Sequence, residues 1–103
     1  MKKKVLCEKY LDSVNKKFRE EIKDLPGAVP ENPTICYSQT RKSCVSMTGY
    51  YDVNTKTKHE FISDILTNDT IKAFQYPIRS EDPIGYDRVD KAYTQVLTGI
   101  NCI

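Results

Sequence analysis

Residues 34–56 read TICYSQTRKSCVSMTGYYDVNTK, and the two-residue period in this stretch decides the fold. Ile35, Tyr37 and Gln39 alternate with Thr34, Cys36, Ser38 and Thr40. Val45, Met47, Tyr51 and Val53 alternate with Ser46, Thr48, Tyr50 and Asp52. Alternation places successive side chains on opposite faces of a strand, and the many hydroxyl and β-branched residues favour pleated backbone. Arg41-Lys42-Ser43 reads as a hairpin turn and Asn54-Thr55-Lys56 as a second, leading to a third strand near Thr57–Ile62. The expectation is a three-stranded antiparallel meander. A turn centred on Lys42 sets Cys44 opposite Thr40 and Cys36 opposite Thr48.

Upstream, the period changes. Cys7, Leu11, Val14, Phe18, Ile22 and Leu25 recur at three- and four-residue steps, predicting a helix over 4–25 with those residues on its core face. Lys2, Lys9, Lys16 and Lys23 fall on the opposite side, and Lys4/Glu8, Asp12/Lys16 and Lys16/Glu20 are favourable four-residue charge pairs. Pro26-Gly27 ends the helix, and three prolines within 26–33 predict an extended loop. Downstream, Phe61, Ile62, Ile65 and Leu66 suit a short helix, while Ile71–Tyr76 fits a helix or a fourth strand. Asp82-Pro83 is a cap followed by a first helical residue, and Tyr86, Val89, Tyr93, Val96 and Ile100 mark the face of a final helix. The fold class expected is therefore α+β, a single domain over 1–103. It has a three-stranded meander, four-stranded if Ile71–Tyr76 joins it, and the N-terminal and C-terminal helices packed on one sheet face.

Apolar residues make up 39% and charged residues 29% of the 103, a globular composition. No apolar run reaches the roughly 20 residues of a transmembrane helix, so no membrane partner is expected. The basic start is followed by only three apolar residues, too few for an export signal, and the expected compartment is the cytoplasm. Cys7, Cys36, Cys44 and Cys102 are accordingly read as free thiols, with Cys7 a small core residue. Their spacing fits no zinc knuckle and His59 is the only histidine, so no metal is expected. The four glycines are dispersed, which removes phosphate-cradling loops, and no cofactor is expected.

Charge is unevenly distributed. Residues 1–58 hold 12 Lys/Arg against 7 Asp/Glu, and residues 59–103 hold 4 against 7. Seven tyrosines and no tryptophan favour recognition of another protein, because Tyr joins apolar area to a hydrogen-bonding tip. The partner-binding residues expected are Tyr37, Tyr50, Tyr51, Arg41 and Lys42, with Asp82, Asp87 and Asp90 of an acidic back suited to a basic groove. Short lysine-rich chains of this kind occur among phage and mobile-element products, so an inhibitor of a host enzyme or defence complex is the form this function is expected to take. The alternative is nucleic-acid binding, with Lys9, Lys16, Arg41, Lys42, Lys56 and Lys58 as a basic stripe and tyrosines for stacking. A second alternative is a small enzyme relying on His59 or Cys44, although no nucleophile signature surrounds either residue and no catalytic residue is assigned.

Overall fold

The computed structural model describes residues 6–103. Helix α1 spans Leu11–Ile22, then come strands β1 Ala28–Pro30, β2 Thr34–Ser38, β3 Ser43–Asp52, β4 Thr57–Asp64 and β5 Asp69–Tyr76, and helix α2 spans Pro83–Gly99. Lys2 and Lys4 of the proposed lysine face and charge pairs lie outside the described residues.

The sheet has five antiparallel strands rather than three or four, in the order β1-β3-β4-β5, with β2 also pairing β3. Strands β1 and β2 lie along the same edge of β3, β1 opposite Tyr50–Asp52 and β2 opposite Ser43–Met47. The proline-rich stretch expected to be a loop thus supplies an edge strand, a position where a missing N–H is tolerated. Ile71–Tyr76 resolves as strand, and β4 continues to Asp64 in place of the short helix.

Three four-residue loops, 39–42, 53–56 and 65–68, link β2 through β5, and they share one design. A side-chain acceptor precedes each loop: Ser38 Oγ takes the N–H of Arg41 at 3.1 Å, Asp52 Oδ1 those of Asn54 and Thr55 at 2.9 and 3.3 Å, and Asp64 Oδ1 those of Leu66 and Thr67 at 3.0 and 3.2 Å. Such acceptors stabilise a turn by occupying its free backbone donors. Each loop ends on a residue in the left-handed region: Lys42 at φ 51°, Lys56 at 59° and Asn68 at 63°. The first loop is centred between Thr40 and Arg41 and not on Lys42, so the register moves. Tyr37 faces Cys44 and Cys36 faces Val45.

The alternation predicted for β3 separates two buried layers. On one face Cys44 and Ile35 pack with Cys7, Leu11 and Val14, and Phe18 of α1 meets the rings of Tyr50 and Phe61 at 6.4 and 6.1 Å. On the other, Cys36, Val45 and Ile62 pack with Tyr93, Val96 and Leu97 of α2 and with Ile100 just after it. The helices therefore cover opposite faces, not one. The physical reason lies in β2 and β3, whose buried residues run Ile35-Cys36 and Cys44-Val45: strands apolar on both faces need cover on both. Helix α1 is shorter than predicted. Phe18 and Ile22 are buried as expected, but Leu25 lies beyond the helix end and is 46% exposed. The Asp82 cap holds: its Oδ1 accepts the N–H of Gly85 at 2.9 Å, with Pro83 in the first turn.

The free-thiol expectation is overturned. Cys7 is bonded to Cys44 and Cys36 to Cys102, and no described cysteine is free. Cys7 is buried as predicted, as half of a bridge. Each bridge ties one flank to the sheet, the segment before α1 on one face and the segment after α2 on the other. Beyond Cys102 the chain runs beside β2, where Tyr37 and Ile103 exchange backbone hydrogen bonds at 2.9 and 3.0 Å.

Candidate functional site

Register assembles one end of the α2-covered face from four strands. Val29 of β1, Tyr51 of β3, Lys58 of β4 and Tyr76 of β5 form a row, each opposite the next. Tyr51 and Lys58, with Lys56, Pro77, Ile78, Arg79, Ser80 and Tyr86, enclose a pocket of about 380 Å³. Lys58 Nζ stands 5.1 Å from the Tyr76 ring centre and the Arg79 guanidinium 5.3 Å from that of Tyr86, while the Tyr76 and Tyr86 rings are 4.8 Å apart. The first two are cation–π distances and the third is that of a packed aromatic pair. Tyr76 is buried and donates its hydroxyl to Asp90 at 3.1 Å. Burial and that acidic acceptor push the Tyr76 phenol above its usual range.

A second row lies one pleat inward: Gly49 opposite Glu60, and Glu60 opposite Phe74. The Glu31 N–H donates to the Gly49 carbonyl at 2.9 Å, which brings Glu31 to the same place. A Cβ on Gly49 would strike the Glu60 carboxylate, so the glycine makes the space in which that side chain lies. Lys58 Nζ contacts Glu60 at 3.1 Å and Glu31 at 4.0 Å. Burial, then the neighbouring Glu31, push the Glu60 carboxyl up to about 7. Burial would lower Lys58, yet Glu60 and Glu31 hold the ammonium above its ordinary value. Glu31 Oε1 is buried without a hydrogen-bond partner.

A separate cleft of about 530 Å³ separates α1 from the sheet, floored by a row of hydroxyls, Ser46, Ser63 and Thr70. Lys17 of α1 donates to Asn68 of the last hairpin loop at 2.7 Å on its border. The buried carboxylate there, Asp64, is already occupied: Ser43 and Arg41 donate to it at 2.7 and 2.9 Å. Its burial would raise the pKa, but those donors and the Thr67 and Leu66 amides hold it below the ordinary carboxylate value.

The residues expected to bind a partner do not gather in one place. Tyr37 packs against the Cys7–Cys44 cluster, and Tyr50 stacks on His59 at 4.7 Å, both on the α1-covered face. Tyr51 lies on the other face at the pocket and is 40% exposed. Arg41 is tied to Asp64, while Lys42 is exposed at its loop tip. Asp82 caps α2, Asp90 receives Tyr76, and Asp87 is exposed. The basic stripe is interrupted as well: Lys9 and Lys16 belong to the α1 side, while Lys58 faces α2 and its two glutamates. Of the enzyme candidates, Cys44 has no thiol in this disulfide state, and His59 Nε2 lies 3.3 Å from Thr57 Oγ1. No three described His, Cys, Asp or Glu side chains gather as a metal site would require.

Sequence reasoning missed Glu31, Glu60, Arg79 and Tyr86. Only Gly49 signalled any of them, since a glycine inside a strand marks a close approach by something else. No family model, curated protein or solved structure matches the chain.

Proposed function

We propose that the protein is a disulfide-stapled binding domain that recognises another protein through the Val29–Tyr51 end of its sheet, acting by occupancy and not by catalysis. The observation that supports this reading is the surface beside the pocket: Val29, Tyr51 and Val53 are 51%, 40% and 48% exposed, and Val29 and Tyr51 are cross-strand partners. Exposed apolar and aromatic side chains rimmed by Lys and Arg have the composition of an interface centre. The paired cysteines favour an oxidising compartment over the cytoplasm expected from the sequence, because reducing compartments keep such thiols open. A partner met outside the reducing cytoplasm fits that state better than a cytoplasmic host enzyme does.

The test is affinity capture with the oxidised protein, followed by binding measurements on the captured partner. Tyr51→Ala and Val29→Ser should each weaken binding about tenfold or more, the size of a central anchor, with little change in melting temperature. Tyr50→Ala should instead lower the melting temperature, because its ring lies among Phe18, Phe61 and His59. Unchanged affinity in both Tyr51→Ala and Val29→Ser would reject this surface.

A further inference from the structure

We infer that the pocket beside Tyr51 receives a single carboxylate side chain, Asp or Glu, from an acidic segment of a partner protein. The inference rests on the protein-binding reading and adds the chemistry of the group recognised. Three cations line the pocket, but their charges are not equally available. Lys58 is committed to Glu60 and Glu31. Lys56 and Arg79 have no ion pair among the described residues and are exposed. Arg79 lies over the Tyr86 ring at a cation–π distance, and an exposed guanidinium can donate two N–H bonds to one carboxylate. Lys56 is held at the pocket by the left-handed end of its hairpin loop. A carboxylate between these two groups would find charge and donors, with the Tyr51 and Tyr86 rings and Pro77 beside its methylene stem.

The surroundings disfavour a polyanion. Glu81, Asp82 and Asp87 are exposed at the start of α2, the helix that presents Tyr86 to the pocket, and the Glu31 side chain is 41% exposed on the other flank. One anionic group fits between these acids, whereas a nucleic-acid backbone would bring successive phosphates against them. The lysines that would extend a phosphate track belong to α1 on the opposite face of the sheet.

The experiment titrates two blocked peptides into the oxidised, isotopically labelled protein: acetyl-Gly-Leu-Asp-Tyr-Glu-Gly-amide and its Asn/Gln isostere. The acidic peptide should shift the amide resonances of Tyr51, Lys56, Arg79 and Tyr86 and bind about tenfold tighter than the isostere, the worth of one hydrogen-bonded charge pair. Arg79→Glu and Lys56→Glu should each remove that preference without lowering the melting temperature. Equal binding of the two peptides at these residues would overturn the carboxylate assignment and leave the protein-binding reading intact. Shifts confined to other residues, or no shift with either peptide, would also overturn it. A single-stranded oligonucleotide that binds at these residues with a steep salt dependence would overturn it in favour of nucleic acid.

Discussion

Lys42, Lys56 and Asn68 close three successive hairpins in the left-handed region, where a side chain with a Cβ is disfavoured. Asparagine tolerates that region by bonding locally, whereas lysine has no such compensation. Lys42→Gly should therefore raise stability by about 0.5–1 kcal/mol, and Asn68→Gly by less, as read from chemical denaturation midpoints. The gain at Lys42 is the cleaner measurement, because Lys56 also lines the pocket. The sequence marks the first two of these turns but not the centre of the first, and the third falls where it predicts a short helix. Arg41-Lys42-Ser43 reads as a turn, yet the first loop closes between Ser38 and Ser43, and that difference sets Cys36 opposite Val45 and not Thr48. A register depends on which hydroxyl or carboxylate accepts which amide, and Ser38 carried that information without declaring it.

At the scale of elements, each disulfide secures a helix-bearing flank that packs on the sheet along one side only. Cys36 and Cys102 enclose 66 residues of separation and Cys7 and Cys44 enclose 37, so on the chain-entropy account each bridge contributes about 4 kcal/mol. The double variant Cys36→Ala/Cys102→Ala should lose about 2–4 kcal/mol in denaturation, and α2 should show the larger rise in amide exchange. The matching variant at Cys7 and Cys44 should loosen α1 in the same way. If both variants loosen the same helix, the assignment of one bridge per face is wrong. Both helices were legible from their periods, because a helical period is local. Their placement was not, since it depends on which face of β3 each buried set joins. Ile35-Cys36 and Cys44-Val45 held the answer, because each pair offers one buried residue to each face.

Across the whole molecule, two carboxyls pull the pH dependence in opposite directions. Glu60 has a folded pKa raised from 4.5 to about 7, so its contribution is full below the unfolded value and is lost as pH rises through the folded one. Asp64 is lowered by its donors, so its contribution is present above the unfolded value and is lost as pH falls through the folded one. Stability should peak in mild acid and fall by about 2 kcal/mol toward weakly alkaline conditions. Glu60→Gln, which resembles the protonated acid, should flatten the alkaline side of that profile in melting experiments across pH. A profile unchanged by this substitution would remove Glu60 as its source. The candidate site was the least legible part of the sequence. Tyr51 stands out in the sequence by the tyrosine-rich composition and its place on a strand near a hairpin tip. Glu31, Lys58, Arg79 and Tyr86 are brought to it by the sheet register and the start of α2, which no local window joins.

The order in which the cysteines are met along the chain has a consequence for how the protein matures. Cys36 and Cys44 are nearest in sequence, so loop-closure statistics favour their encounter first in a reduced chain. In the finished sheet they occupy adjacent strands but opposite faces, and each is bonded to a distant partner. The bridge that forms most readily is thus one the fold cannot keep. Attack by the Cys7 thiolate converts it to Cys7–Cys44 and releases Cys36 as a thiol. An external thiol oxidant must then close Cys36–Cys102 by a two-electron oxidation, before the sheet seals the sulfurs from solvent. Yield of the active form is then a race between reshuffling and burial, and a disulfide isomerase would act on its outcome more strongly than any gain in native stability.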